Sequence, residues 1–391
     1  MKKYLVGGAV RDILLKQPVT DRDWVVVGAK PHDLLQEGYV QVGKDFPVFL
    51  HPKTKEEYAL ARTERKSGLG YTGFICDFNE NITLQQDLER RDLTINAIAM
   101  DENQQLIDPF HGVRDINQRI LRHVSAAFTE DPLRVLRVAR FAARFHHLGF
   151  TIATETLNLM QKMVIDGEIQ TLTPERVWKE TEKALNTKDP QIFFSVLREI
   201  GALAILYPEI DKLFSIPNIH QQNLGQFTLS ALKYVSEMTN ENEIRFATLC
   251  CHVETINNAV KSEHPHLIQL EQLCQRCKIP NKYQKIANLA CRYCELIHNI
   301  GNLSATEIVT LLNKIDVWRN PHHLQQLLIV CCADAKVINH NDRQLYQPKI
   351  ILEKAYQIAK SVSIKEIIAE GFIGKDIQIE LNRRRINALS N

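Results

Sequence analysis

The hydrophobic and polar positions of this chain change period near residue 129. Ahead of that point short apolar runs alternate with polar turns, and Tyr4–Val6, Asp23–Val27, Val40–Val42, Phe46–Leu50, Tyr58–Ala61 and Ala97–Met100 predict strands. Helical spacing interrupts them at 9–15, 31–36 and 83–90. Beyond it, apolar residues recur every three or four positions, with breaks at Pro174, Pro190, Pro208, Pro217, Pro265, Pro280, Pro321 and Pro348. The expected fold class is α+β: a mixed β-sheet head with helices over 1–128, an all-α neck over 129–210, and a helical body and tail over 211–391. Gly68, Gly70 and Gly73 make the segment Glu64–Phe74 an expected mobile loop.

Composition narrows the class. The chain has 391 residues, more than one ordinary core, and is 45% hydrophobic and 24% charged. No stretch approaches the length of an uncharged membrane span, and no apolar signal core follows Lys2-Lys3, so a cytoplasmic location is expected. A net charge of +2 does not announce a nucleic-acid partner, but its distribution is uneven. Arginines stand at 114, 119, 122, 134, 137, 140 and 144, opposed in that stretch by Asp115, Glu130 and Asp131 alone. The nine cysteines argue for reduced thiols. Cys274, Cys277, Cys291 and Cys294 have zinc-like spacing, yet they sit in helical sequence without glycine knuckles, where cysteine behaves as a small buried hydrophobe.

Three segments carry chemistry. Gly7-Gly8-Ala9-Val10-Arg11-Asp12 reads as a tight turn from strand into helix, where backbone N–H groups and Arg11 could meet a polyphosphate. Asp21 and Asp23 are two apart at the second strand, so both carboxylates share a face. Such a pair repels unless a cation neutralises it, and Mg²⁺ takes one or two carboxylates with phosphate oxygens. Either half alone also fits an ordinary turn or a capping pair; in strand-turn-helix-strand order they fit a metal-assisted nucleotide site.

Arg90-Arg91-Asp92-Leu93-Thr94-Ile95-Asn96 reads as a helix end running into a strand, suited to phosphate or sugar contacts or to a salt-bridged helix end. In Glu130-Asp131-Pro132-Leu133-Arg134, Asp131 and Pro132 fit a helix start. At 100° per residue, Arg134, Arg137, Arg140 and Arg144 fall within roughly a 120° sector. A single-sign face of this kind fits phosphate. Asp131 and Arg134 together offer acceptors and donors that could match a base edge.

These motifs, with Pro174-Glu175-Arg176, resemble the class II tRNA nucleotidyltransferases, the family of bacterial CCA-adding enzymes and poly(A) polymerases. The resemblance runs over essentially the whole chain. Val42-Gly43-Lys44-Asp45-Phe46-Pro47-Val48-Phe49-Leu50-His51 and Ala61-Arg62-Thr63-Glu64-Arg65-Lys66 resemble the CCA-adding branch. It implies a nucleotidyltransferase-type head in which Asp21 and Asp23 hold Mg²⁺ as catalytic residues. Gly8, Arg11, Arg91, Arg137 and Arg140 would contact CTP or ATP, and Asp131 with Arg134 would select the base. The implied partners are tRNA lacking all or part of its 3′ CCA, CTP and ATP, with no membrane and no protein partner. The alternatives are a poly(A) polymerase, an enzyme adding only CC or only A, and a non-catalytic RNA-binding relative.

One stretch departs from the family. Many relatives carry a metal-binding His-Asp domain with phosphohydrolase activity, whereas here Val253 follows His252 and Phe227 stands where a ligand histidine is expected. A carboxylate-free site binds divalent ions poorly, so the resemblance implies a body without hydrolase activity that serves to grip tRNA. In the tail, Arg383-Arg384-Arg385 fits either a contact to the RNA backbone or a solvated basic terminus.

Overall fold

A computed structural model describes residues 1–42, 48–66, 74–77, 79–217, 223–256, 267–339 and 345–390. The chain divides into two compact units, one of residues 1–184 with 192–206, the other of 185–191 with 207–391.

The first unit holds the sheet. Its strands are β1 (Lys2–Val6), β2 (Asp23–Val27), β3 (Val40–Val42), β4 (Val48–Leu50), β5 (Glu57–Leu60), β6 (Thr63–Lys66), β7 (Phe74–Asp77), β8 (Ala99–Met100), β9 (Leu106–Ile107), β10 (Ile120–Leu121) and β11 (Thr151–Ile152). Seven of them form one sheet in the order β3-β4-β5-β2-β1-β8-β9, with β2 and β5 parallel and the other neighbours antiparallel. The centre of this sheet is covered on both faces, which is why β2 reads Trp-Val-Val-Val rather than alternating. Val25 packs with Val6, Ala61, Leu88, Ala97 and Ala99 on one side. Val26 packs with Leu34, Phe49, Tyr58 and Leu60 on the other. Asp23 opens β2 on the Val25 face, paired in register with Val6 and with Glu57.

Helices α1 (Gly8–Leu14), α2 (Pro31–Gln36), α3 (Leu84–Glu89), α4 (Gly112–Gln118), α5 (Leu133–Phe145), α6 (Thr154–Ile165), α7 (Pro174–Leu185), α8 (Pro190–Glu199) and α9 (Ala202–Leu206) accompany the sheet and extend from it. The strand expected from Ala97 begins only at Ala99, because Thr94–Asn96 forms a tight 3-10 turn. That turn is tied to α4 rather than to the sheet: Thr94 Oγ1 donates to Asp115 Oδ2 at 2.7 Å, and the Thr94 amide to the Arg122 carbonyl at 2.9 Å. Gly112 lets α4 come this close, since a Cβ there would lie 2.2 Å from the Thr94 carbonyl oxygen. The expected loop at 64–74 is flanked by paired strands, β6 against β7. Its residues 67–73 lie outside the described residues, as do Gly43–Pro47 of the branch motif and the first two positions of the strand expected at 46–50.

The second unit is helical, with α10 (Pro208–Asp211), α11 (Leu224–Met238), α12 (Asn242–Cys250), α13 (Ile268–Arg276), α14 (Asn281–His298), α15 (Ala305–Ile315), α16 (His322–Asn339), α17 (Gln347–Ser361), α18 (Ile364–Ala369) and α19 (Lys375–Ser390). Its core is built where α11, α12, α14 and α16 pack on one another. Arg245 of α12 is buried there and donates to the carbonyls of Leu185, Thr187, Ser236 and Thr239, which gathers three chain segments around one cation. Cys274, Cys277, Cys291 and Cys294 belong to α13, its C-terminal cap and α14, and they form no ligand group among the described residues. In the tail, Arg385 is buried on the Trp318 ring at 3.4 Å, while Arg383 and Arg384 pair with Glu380. Arg385 is therefore an internal packing residue and not part of a free basic run.

Gly112→Ala forces its new methyl into the Thr94 carbonyl, and we expect it to destabilise the head by about 2–4 kcal/mol through overpacking of backbone that cannot yield. Urea unfolding should show a lowered midpoint. Wild-type stability in this variant would rule out the close approach of α4 to the Thr94–Asn96 turn.

Candidate active site

The first unit contains a cavity of about 700 Å³ into which the chemistry-bearing segments converge. All nine residues expected from the sequence line it: Gly8, Arg11, Asp21, Asp23, Arg91, Asp131, Arg134, Arg137 and Arg140. Gly7 makes the first turn possible, with φ +68° and a Cβ position only 2.8 Å from Arg91 Nη1. Any side chain at residue 7 would meet the Arg91 guanidinium, so the glycine lets α1 and the Arg90–Asp92 segment share one wall.

The acidic wall is formed by Asp21, immediately ahead of β2, and by Asp23, its first residue; both are exposed. Desolvation by the surrounding walls raises the Asp23 pKa and the Asp21 charge adds to it, while Arg91 opposes the shift. Two carboxylates that repel each other beside open space are hard oxygen donors suited to Mg²⁺. The β2–β5 register brings Glu57 to the same wall, a carboxylate that sequence reading passed over because the parallel pairing is not local.

The basic wall is α5 with Arg11 and Arg91. The arginines of α5 do share a face, but the expectation of an uncompensated positive stripe is corrected by partners from other elements. Arg137 pairs with Asp92 at 2.7 Å, Arg140 Nε donates to Glu180 Oε2 at 2.5 Å, and Arg144 Nη2 donates to Asp12 Oδ2 at 3.0 Å. Arg11 donates to Asp12 at 2.8 Å and to Asn96 Oδ1 at 2.5 Å. Asp12, Asp92 and Glu180 are all buried, at 5%, 5% and 3% exposure. Aromatic rings carry the remaining faces: Arg11 lies 5.2 Å from the Phe141 ring centre and 5.1 Å from that of Phe145, and Arg140 lies 4.3 Å from Phe141.

Asp92 is taken up in holding the wall. It accepts from the Leu93 amide, Asn96 Nδ2 and Arg137 Nε. Burial alone would raise its pKa; the Arg137 charge and the Asn96 and Arg137 hydrogen bonds overcome this and hold it well below the usual carboxylate range. Burial likewise opposes, and Arg140 reverses, the shift at Glu180, whose pKa is lowered. Asp87, buried on α3, ties Arg90 and Arg91 at 2.7 and 3.1 Å.

Asp131 and Arg134 stand at the start of α5. Asp131 Oδ1 accepts from the Leu133 amide at 3.1 Å, as a helix-capping carboxylate does, although Pro132 is the capping residue. Arg176 of α7 grips the same carboxylate, its Nη2 lying 2.8 Å from Oδ2 and 3.1 Å from Oδ1. Arg134 Nη1 donates to the Ala127 carbonyl at 2.5 Å. Besides Glu57, sequence reading gave no role to Asp12, Asp87 or Glu180. The one available signal was the i, i+4 spacing of Arg176 and Glu180, which puts both on one face of α7.

Residues 3–122 match the family described as the Poly A polymerase head domain. Residues 149–214 match the family described as "Probable RNA and SrmB- binding site of polymerase A". The chain is also similar in fold to a CCA-adding enzyme in complex with ATP, at TM-score 0.67 and 20% identity, covering 99% of this chain and 86% of the other. Against a CCA-adding enzyme in complex with CTP the TM-score is 0.67 at 21% identity, with 100% and 86% covered. For the Thermotoga maritima CCA-adding enzyme complexed with tRNA it is 0.66 at 20% identity, with 99% and 87% covered. The two matched segments are similar to parts of the family expected from the motifs, and the mixed-sheet head followed by helices is the fold that was expected.

Because the Asp92 pKa is lowered in the folded state, its contribution to stability is full above the ordinary carboxylate pKa of about 4 and is lost as pH falls through the lowered value. Asp92→Asn should cost about 2–3 kcal/mol at neutral pH, less than a fully buried pair because Arg137 also faces the cavity. Urea unfolding between pH 2 and pH 7 should show a shallower acid limb for the variant. An unchanged limb would remove Asp92 as the anchor of Arg137.

Proposed function

We propose that this chain adds C, C and A to the 3′ end of tRNA from CTP and ATP, without a nucleic-acid template and with release of pyrophosphate. The observation that carries the reading is the single cavity in which a carboxylate pair faces an arginine wall, with a fixed carboxylate and guanidinium at the start of α5. The relatives solved with ATP, with CTP and with tRNA support the same substrates, and the RNA-binding family match supports contact of the neck with RNA.

In this reading Asp21 and Asp23 are the catalytic residues and hold Mg²⁺. The ion, when bound, supplies a more acidic 3′-hydroxyl and neutralises charge on the phosphates. Gly8, Arg11, Arg91, Arg137 and Arg140 bind the triphosphate, so the guanidinium groups stabilise the charge that collects on the departing pyrophosphate. Asp131 and Arg134 read the base edge. A pocket of fixed donors and acceptors rejects a base that leaves them unpaired, which size alone could not do for C against U. The site of action is the cytoplasm, where tRNA maturation and repair occur.

The head-domain family also gives weight to a second reading, poly(A) synthesis. Incubating tRNA that lacks its terminal CCA with each labelled triphosphate separates the two. We expect incorporation from CTP and then ATP, and loss of transfer by roughly a thousandfold or more in Asp21→Ala with tRNA binding retained. Incorporation from ATP alone would favour poly(A) synthesis, and transfer surviving in Asp21→Ala would remove the carboxylate pair from the reaction.

The body is proposed to lack phosphohydrolase activity, though not for want of a carboxylate. The expectation of a carboxylate-free site is corrected by Asp334 of α16, whose Oδ2 lies 3.0 Å from His252 Nε2. Cys251, His252 and Asp334 come within 4.8 Å of one another as the only such group among the described residues. Phe227 closes the other side, its ring 5.5 Å from His252. One imidazole, one carboxylate and one thiol, with an aromatic ring on the remaining side, fit a hydrolytic metal centre less well than a full set of histidine and carboxylate ligands. Purified protein should not hydrolyse 2′,3′-cyclic AMP with added nickel or magnesium; hydrolysis abolished by His252→Ala would overturn this.

A further inference from the structure

Helix α7 has no residue on the acidic wall and none among the residues expected to touch nucleotide, yet it grips two of them. Arg176 and Glu180 are four apart and face the same way. Arg176 holds both carboxylate oxygens of Asp131. Glu180 Oε2 accepts from Arg140 Nε, and its other oxygen lies 3.5 Å from Lys183 Nζ. The choice of donor matters. With Nε taken by Glu180, Arg140 makes no hydrogen bond from its terminal nitrogens to a described residue, and these are left for the cavity it lines. The guanidinium plane is fixed at 4.3 Å from the Phe141 ring centre, so its fork has one orientation. Glu180 is buried at 3% exposure and Arg140 at 8%, which makes this an anchored pair and not a surface contact.

We propose that α7 is a positioning helix with divided labour: Arg176 sets the base-facing carboxylate of Asp131, and Glu180 sets the phosphate-facing guanidinium of Arg140. The inference rests on the nucleotidyltransferase reading above. Arg140 meets a part common to every nucleoside triphosphate, so loss of Glu180 loosens the grip on CTP and ATP alike. Asp131 meets the part that differs, so loss of Arg176 alters choice among bases. Each role acts through another residue, and neither α7 side chain touches the reacting atoms.

The test separates the two roles by what each variant leaves untouched. Glu180→Ala should raise KM for CTP and for ATP by about tenfold, the scale of one lost charge-assisted hydrogen bond. It should weaken binding of inorganic tripolyphosphate, measured by calorimetry with magnesium present, by a similar factor and leave the preference for CTP over UTP unchanged. Glu180→Gln keeps an oxygen that can accept from Nε and should recover most of that affinity. Should the alanine variant not fold, Glu180→Asp, which withdraws the acceptor by one methylene, carries the same comparison. Arg176→Ala should lower the preference for CTP over UTP as Asp131→Ala does, with tripolyphosphate affinity unchanged. The proposal is overturned if both variants move the same quantity, if tripolyphosphate binding is indifferent to residue 180, or if Glu180→Gln is no better than alanine. Wild-type protein that binds tripolyphosphate through Glu180 but transfers neither CMP nor AMP would instead overturn the functional reading and leave the positioning of Arg140 standing.

Discussion

Guanidinium groups repel, and the cavity needs several of them within reach of one another. The interaction on which the rest depends is therefore the pairing of these groups with buried carboxylates: Asp12 with Arg11 and Arg144, Asp92 with Arg137, and Glu180 with Arg140. Each carboxylate comes from a different element, namely α1, the segment before the Thr94–Asn96 turn, and α7. Asp92 and Glu180 could not be buried without α5 in place, because an unpaired buried charge costs several kcal/mol. The electrostatics of the site thus dictate assembly of the head and the first neck helices as one unit. The phenylalanines at 141 and 145 complete the arrangement by placing ring faces under charge that the carboxylates do not reach.

A consequence is that one helix sets the distances within the site. Arg134, Arg137, Arg140 and Arg144 rise along α5 at 1.5 Å per residue, so the start of the helix and its middle are separated by a fixed length. Preorganised groups of this kind need no reordering as charge develops on a leaving group. The carboxylate wall approaches from the sheet instead, where Asp23 is fixed by two neighbouring strands. In the proposed function, reaction centre and base choice therefore rest on different secondary structure and can vary separately.

How much of this could be read from the chain depends on sequence distance. Gly7-Gly8 before Arg11, and Asp21 before Asp23, carry their geometry within a few residues, and the helical period put four arginines on one face of α5. Partners could not be read the same way. Nothing within ten residues of Arg140 points to Glu180, forty positions on, and Glu57 reaches the acidic wall only through parallel pairing of β5 with β2. The 3-10 turn at Thr94–Asn96 was hidden for a similar reason: Ala97–Met100 has strand character, and what withholds the first two residues from the sheet is the tie from Thr94 to Asp115. Local pattern reports what a segment prefers, and these residues are governed by what packs against them.

The body shows the same principle in reverse. Val253 beside His252 reads as a lost acid, yet α16 brings Asp334 to the imidazole from eighty residues away. Burial alone would lower the His252 pKa, but Asp334 raises it; the same pair holds Asp334 down to about 2. The carboxylate is held ionised and the imidazole is biased toward its charged form, so the two attract as an ion pair, while Asp334 Oδ1 has no hydrogen-bond partner among the described residues. His298 reaches the same carboxylate at 3.8 Å and is itself bonded to the Tyr346 hydroxyl at 2.7 Å, which draws α14 and the segment leading into α17 onto the pair. Removing one member would leave a buried charge without a partner, a larger loss than never having had the pair. These residues therefore hold four parts of the helical unit together.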